Sequence, residues 1–510
     1  MRLAKTLMIQ GTASTVGKST LVTGLCRLFA QEGLRVAPFK AQNMALNSFV
    51  TADGGEIGRA QAVQAEAAGI EPAVEMNPIL LKPEGNSRSQ VVMLGRPLRR
   101  MEAQEYYRHR TGFREVVQRS LEALRQRFDL VLIEGAGSPV ELNLAQYDLV
   151  NMAVAHLADA PVLLVGDIDR GGIFASLLGT LQLFKPEERA RVKGLIVNKF
   201  RGDLALWRDG ERLLARMADV PVLGTVPYYT DIVIAEEDSV SLERGTSLLQ
   251  RPQKRTRAVD IVVIRYPYLS NFDEFDALAA EPQVRLSLVG SPEELPERPD
   301  LIILPGSKNT LSDLGWLWRS GLALQIRHHA AQGAALLGIC GGYQMLGERV
   351  SDPEGVESAP GTVEPGLNLL PVETGFVSLE EKVTQQSRAR ILTRRGLFAA
   401  LDDSELQAYQ IHAGRTRAPE NPLFGLVQGE TDGWISADGW KAGCYLHGLF
   451  ENEAFRKAVI QALWKRRYTQ DEPQPDTTFS RQQEYDKLAA LLRQHLDLKL
   501  LYRILEGREG

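Results

Sequence analysis

TLMIQGTASTVGKST (residues 6–20) reads as an apolar strand, a glycine-bearing polar loop and the first turn of a helix in direct succession. That order is the setting a phosphate-binding P-loop requires, because loop and helix N–H groups then converge on one point carrying the positive end of the helix dipole. Lys18 is placed to reach the outer phosphates of a nucleotide, and the Ser19 hydroxyl to ligate Mg²⁺. Thr12, Gly17 and Thr20 complete the expected nucleotide-contacting set. Thr12 stands where such loops usually begin with glycine, and Gly11 lies one place earlier.

Outward from this loop, short β-branched runs alternate with helical patterns: RVAPF (35–39), DLVLIE (129–134), APVLLVG (160–166), GLIVNK (194–199) and VLGTVP (222–227). Such alternation predicts a parallel sheet with helices on both faces. Leu21, Val22, Leu25, Leu28 and Phe29 share one face of a helix that Gly33 can stop, and Cys26 packs in it. Ligands of open parallel sheets collect at the C-terminal strand ends, where Lys40, Glu134, Asp167, Asp169 and Asn198 fall. Lys40 ends the run expected next to the P-loop strand. Glu134 reads either as a Mg²⁺ ligand, direct or through water, or as an ordinary strand-end carboxylate. Asn198 reads either as a contact to a nucleotide base or as a turn former. Asp167 and Asp169 either face the site or shape a turn.

At 510 residues the chain exceeds what one core organises, so roughly two to four domains are expected. Apolar residues at 44% and charged residues at 24% are a globular balance that argues against long disorder. A formal net charge of −5 gives no basic footprint for nucleic acid and nothing for an acidic membrane surface. Three cysteines are too few for a disulfide framework, and neither a signal peptide nor an apolar run of the ~20 residues a bilayer crossing needs is visible. A cytoplasmic protein without nucleic-acid or membrane partners is expected. RGTSLLQRPQKRTRA (244–258) breaks the apolar rhythm and reads as a linker, which divides the chain into a first domain (1–245), a linker (246–258), a second domain (259–455) and a helical tail (456–510). Leu488, Leu491, Leu492, Leu496 and Leu500 lie at helical spacing in that tail.

The second α/β series runs through DIVVIR (260–265), VRLSLV (284–289), DLIILPGS (300–307), AALLGIC (334–340) and GCYLHGLF (443–450). Cys340 follows an apolar run and precedes Gly341-Gly342 and a helical pattern. This is a strand–nucleophile–helix elbow, in which small neighbours permit the sharp turn and the helix N-terminus favours a thiolate. Backbone N–H groups at Gly341 and in LPGSK (304–308), Gly306 among them, can form an oxyanion hole. Of seven histidines, His447 lies at a strand-like end beside glycine and is the expected base; His412 is the competitor.

GICGGYQ (338–344) and YLHGLF (445–450) resemble the triad-type glutamine amidotransferase domain. GTASTVGKST (11–20), the Lys40 segment and IEGAG (133–137) resemble the dethiobiotin-synthetase-like ATP domain. In this order, and with KAQNMALNS (40–48), MNPILLKP (76–83), GDIDRGGIFA (166–175) and NKFRGD (198–203), the whole chain resembles the cobyric acid synthase family. The resemblance implies an α/β protein of two doubly wound domains, a P-loop NTPase-like sheet followed by a class I amidotransferase-like domain. It also implies ATP- and glutamine-dependent amidation of carboxylates b, d, e and g of a corrinoid, with Mg²⁺, and with Lys40 near the reacting carboxylate. In amidotransferase triads the orienting Glu usually lies two residues after the His. Here that position is Leu449, and Glu451 is two further on, so the group that orients His447 is left open. Cobyrinic acid a,c-diamide synthase is a rival with related domains, and a ParA-like ATP switch carrying an inactive glutaminase module is a non-enzymatic one.

Overall fold

Strand β1 (Lys5–Gly11) sends Leu7 and Ile9 into one apolar layer and Met8 into another, so it is covered on both faces. The computed structural model describes residues 3–85, 88–235, 257–468 and 479–508. In it β1 lies inside a six-stranded parallel sheet with β2 (Val36–Phe39), β3 (Leu130–Glu134), β4 (Val162–Asp167), β5 (Val192–Phe200) and β6 (Val222–Pro227), ordered β6-β5-β4-β1-β3-β2. All six runs read as strands are present. Helix α1 (Lys18–Gln31) covers one face with the expected stripe and Cys26, all buried, and Gly33 follows it at φ 85°. The sheet order corrects one expectation: β2, with Lys40 at its end, is not beside β1, because β3 and Glu134 stand between them. A four-stranded sheet within residues 42–102 is an element that sequence periodicity does not announce. Helix α2 (Arg59–Ala67) lies within the same stretch of chain.

The second sheet runs β8-β7-β9-β10-β13-β12, from β7 (Val259–Ile264), β8 (Val284–Val289), β9 (Leu301–Leu304), β10 (Ala335–Ile339), β12 (Trp434–Ile435) and β13 (Lys441–Cys444); only β12 is antiparallel to its neighbour. Helix α3 (Gly341–Leu346) follows β10 directly. Two four-stranded sheets from residues 349–432 accompany it, one of them containing β11 (Leu406–His412).

The chain clusters into two units, Met1–Ala45 with Gly55–Glu237 and Arg481–Gly510, and Leu46–Gly54 with Asp238–Ser480. The stretch read as one tail (456–510) is therefore shared. Helix α4 (Glu453–Arg467) belongs to the second unit, and α5 (Arg481–His495) and α6 (Leu498–Leu505) to the first. Helix α5 packs on α1 where Gly24 leaves room: a Cβ there would lie 2.5 Å from Leu492. The leucine pattern crosses a break between α5 and α6, where the Asp497 side chain accepts from the Leu500 N–H. Of the expected linker, all but residues 257 and 258 lie outside the described residues. Among the described residues no helix is long and apolar enough to cross a membrane.

Candidate active sites

The P-loop leaves β1 with the Thr12 N–H on the Val165 carbonyl at 2.9 Å and enters α1 through Gly17 at φ 101°. A Cβ on Gly17 would lie 2.2 Å from Asn198 Nδ2, so both the backbone angle and the neighbour demand glycine. Asn198 Nδ2 itself donates to the Val16 carbonyl at 2.8 Å. Its amide nitrogen thus braces the loop, and a contact to a base is left to its oxygen. Lys18 Nζ lies over the loop, donating to the Ala13 and Gly137 carbonyls at 3.0 Å each. Thr20 follows Ser19 in the first turn of α1.

Glu134, buried at the end of β3, gathers the polar groups. Its Oε1 accepts from Ser19 Oγ and from Lys40 Nζ, both at 2.8 Å, and its Oε2 accepts from Gln64 Nε2 at 2.6 Å. Ser19 and Lys40, both singled out from sequence, therefore meet at the Glu134 carboxylate, although the three residues come from separate stretches of the chain. Gln64, on α2, gave no signal of its own, because glutamine at a helical position is ordinary. Asp167 and Asp169 are engaged by cations: Lys199 Nζ lies 3.1 Å from Asp167, and Arg201 Nε 2.7 Å from Asp169. Lys199 also donates to the Thr15 carbonyl at 2.6 Å. The hydroxyl of Ser19 and the carboxylate of Glu134 are hard oxygen donors, which is what Mg²⁺ prefers. Among the described residues no group of three or more His, Cys, Asp or Glu could hold a metal, and a P-loop Mg²⁺ needs none, since phosphates and water complete its shell. The residues fit the ion.

In the second unit the elbow forms as read. Cys340 sits between β10 and α3 at φ 51°, ψ −109°, a strained conformation for a side-chain-bearing residue. The double glycine has a packing reason: a Cβ on Gly342 would fall 1.8 Å from the Leu304 carbonyl oxygen. Gly341 is close to the Ser307 N–H, and as the first residue of α3 its own N–H has no intrahelical acceptor. Gly306 borders the base, for a Cβ there would lie 2.9 Å from His447 Cε1. The two expected oxyanion positions thus flank the nucleophile and the base.

His447 is fully buried, and Cys340 is among the groups that act on it electrostatically; the Cys340 sulfur itself lies 3.5 Å from the Ile411 carbonyl oxygen. His447 Nδ1 lies 3.0 Å from Glu274 Oε1, and the other Glu274 oxygen accepts the Gly448 N–H at 3.0 Å. The group left open in the sequence is therefore Glu274, in the 3₁₀ turn Phe272–Phe275, 173 residues before the histidine. Leu449, at the usual carboxylate position, is buried in the core. The available signal was NFDEFD (271–276), where three carboxylates punctuate an apolar stretch. Burial alone would lower the pKa of His447, but the charges of Glu274 and Cys340 outweigh it and raise the value well above the ordinary imidazole range. Burial raises the Glu274 pKa against the pull of His447. The His447 ring stacks on Tyr409, centroids 5.3 Å apart, and the two residues exchange backbone hydrogen bonds of 2.9 and 3.2 Å. His412 is placed differently: its Nδ1 is bonded to the Gly414 carbonyl, its ring lies 3.7 Å from that of Tyr445, and burial drives its pKa down to about 4. Among the described residues no carboxylate bonds its ring nitrogens, whereas Glu274 bonds Nδ1 of His447.

A P-loop domain and a Cys–His–carboxylate elbow on one chain define an amidotransferase joined to a nucleotide-binding domain. Family comparison gives the same two parts: residues 7–242 match the CobQ/CobB/MinD/ParA nucleotide binding domain, and residues 260–455 the CobB/CobQ-like glutamine amidotransferase domain. The curated protein named cobyric acid synthase from Dehalococcoides mccartyi is 47% identical over 510 residues, covering 99% of this chain and 98% of its own. That of Sorangium cellulosum is 48% identical over 519 residues, covering 98% of each, and that of Roseiflexus castenholzii 52% over 468 residues, covering 90% and 92%. The chain belongs to the cobyric acid synthase family.

Proposed function

We propose that this enzyme amidates carboxylates b, d, e and g of (adenosyl)cobyrinic acid a,c-diamide to give (adenosyl)cobyric acid in cobalamin biosynthesis, using glutamine as nitrogen donor and ATP. The observation that carries this reading is the coexistence of the buried Cys340–His447–Glu274 relay and the Ser19–Glu134–Lys40 cluster in a chain of this family. Cytoplasmic placement suits three free cysteines, which a reducing compartment keeps as thiols.

Each site has a chemical task. The sulfur of Cys340, its proton held on His447, attacks the glutamine amide carbon while the Gly306 and Gly341 N–H groups receive the developing oxyanion. His447 then gives its proton to the departing ammonia, leaving a glutamyl thioester, and takes one from the water that cleaves it. Glu274 keeps the imidazole in the tautomer and orientation both steps need. A carboxylate is a poor electrophile, so at the P-loop the γ-phosphoryl group of ATP passes to the corrinoid carboxylate as an acyl phosphate, and ammonia displaces phosphate. Lys18 stabilises the transferred charge. Ser19 and Glu134 would hold Mg²⁺, which would supply further charge neutralisation. Lys40 attracts the substrate carboxylate.

Lys18→Ala should lose corrinoid amidation with glutamine and with ammonium salts alike, and should bind nucleotide weakly, while glutamine hydrolysis persists. Lys40→Met, with the P-loop intact, should keep near-normal nucleotide affinity and lose amidation with either nitrogen source. Titration of a fluorescent ATP analogue with product mass spectrometry checks both. Normal ammonia-driven turnover in Lys18→Ala would remove the P-loop from the reaction. Products amidated only at a and c from the unamidated corrinoid would assign the rival a,c-diamide synthase activity.

A further inference from the structure

Residues 46–54 stand in sequence between Lys40 and α2, yet they belong to the second unit. Their contacts fall on the two supports of His447. Asn47, fully buried, accepts the Asn271 N–H through its Oδ1 at 2.7 Å, and Asn271 Oδ1 accepts the Ser48 N–H in return at 3.0 Å. Asn271 is the left-handed residue, φ 54°, that opens the Phe272–Phe275 turn, and Glu274 lies three residues on. The reciprocal pair therefore ties the segment to the turn that presents the orienting carboxylate. On the other side, the Phe49 ring lies 6.0 Å from the Tyr409 ring, which in turn stacks on His447. The far end is tied down too: Gln386 Nε2 donates to the Val50 carbonyl, and a Cβ on Gly54 would come within 3.1 Å of the Thr384 carbonyl oxygen.

We propose that residues 46–54 are a positioning strap for the glutaminase base: Asn47 holds the turn that aims Glu274 at His447 Nδ1, and Phe49 backs the Tyr409 ring against the imidazole. Asn47 and Phe49 act through Glu274 and Tyr409. The physical reason the strap matters is tolerance. An imidazole that must accept and return a proton at sulfur needs its ring fixed, and a displacement near 1 Å can cost ~10²-fold in rate. The strap also has a consequence for coupling. Asn47 lies seven residues after Lys40, so the chain that carries the lysine proposed to meet the corrinoid carboxylate continues directly into the segment that sets the glutaminase base. This inference rests on reading Cys340–His447–Glu274 as the glutaminase centre.

The test is steady-state glutamine hydrolysis by the full chain, with ammonia-driven corrinoid amidation measured on the same preparations. Asn47→Ala and Phe49→Ala should each lower kcat for glutamine about tenfold while KM changes less than about threefold, because orientation of the base and not glutamine binding is lost. Ammonia-driven amidation should stay within about twofold of wild type, which also shows that the variants fold. Asn47→Asp keeps an acceptor oxygen for the Asn271 N–H and should return kcat to within about threefold of wild type. Unchanged hydrolysis in both alanine variants, a loss confined to KM, an equal loss with ammonia, or no recovery in Asn47→Asp would each overturn the strap. A Cys340→Ser control separates the two levels: if it still hydrolyses glutamine, the glutaminase centre itself is misplaced, and if it does not, the outcome belongs to the strap alone.

Discussion

Cys340→Ser should abolish glutamine-driven amidation, with a loss on the order of 10⁴-fold or more, and should leave ammonia-driven amidation within about twofold of wild type. The size of the first effect follows from the chemistry. A serine hydroxyl in the elbow keeps the turn, the Gly341 N–H and the His447 partnership, but an alcohol is far less readily deprotonated than a thiol and cannot form the thioester. The selectivity follows from the division of residues. Lys18, Ser19, Lys40 and Glu134 all belong to the first unit and Cys340 to the second, so the chemistry at the P-loop keeps every group it uses. Parallel assays with glutamine and with ammonium chloride check this. Equal loss in both would end the division of labour.

Glu274→Gln should lower kcat for glutamine hydrolysis by about 10⁴-fold, the scale seen when an orienting carboxylate is replaced by its amide and the histidine adopts the wrong tautomer. The amide keeps the shape of the side chain and one acceptor oxygen, which separates loss of charge from loss of packing. A pH profile adds an independent sign. Glu274 is one of the two charges that raise the His447 pKa against burial, Cys340 being the other, while neutral His412 contributes no opposing charge. The raised value keeps the proton on His447 to higher pH, so kcat/KM for glutamine declines only as pH climbs through it. Removing the Glu274 charge takes away part of what raises it, and the alkaline limb moves to lower pH. An unmoved limb, or a rate near wild type, would show that Glu274 does not set the base.

Much of this molecule was legible in the chain because its sheets are parallel and buried. Strands covered on both faces read as uninterrupted apolar runs, and each of the six runs of the first half became a strand. Positions fixed by local sequence were equally clear: the P-loop needs only contiguous residues, and the elbow at Cys340 announces itself through Gly341 and Gly342, the second of which the Leu304 carbonyl keeps small. What stayed hidden was non-local. Glu274 meets His447 only after folding brings a turn at 272–275 beside the loop that follows β13, and no spacing rule connects residues 173 apart. Gln64 was hidden for the same reason. The order of β2 and β3 was hidden because periodicity identifies strands but not neighbours, so Lys40 was expected one strand too close to the P-loop. The tail read as a single unit because a leucine stripe continues through the break before Asp497, and because apolar spacing does not say which unit a helix covers.

The division of labour is tested most directly by mass spectrometry of the corrinoid product formed from cobyrinic acid a,c-diamide, MgATP and glutamine carrying heavy nitrogen in its amide, in the presence of ordinary ammonium at a concentration too low to support turnover alone. The wild-type enzyme should yield a product with four heavy amides, and the same mixture with Cys340→Ser should yield none. With ammonium raised to a concentration that supports turnover, Cys340→Ser should give the same product with four ordinary amides. Heavy amides in the Cys340→Ser product, or a wild-type product whose new amides are ordinary, would contradict the assignment of ammonia production to Cys340 and of amidation to the P-loop unit.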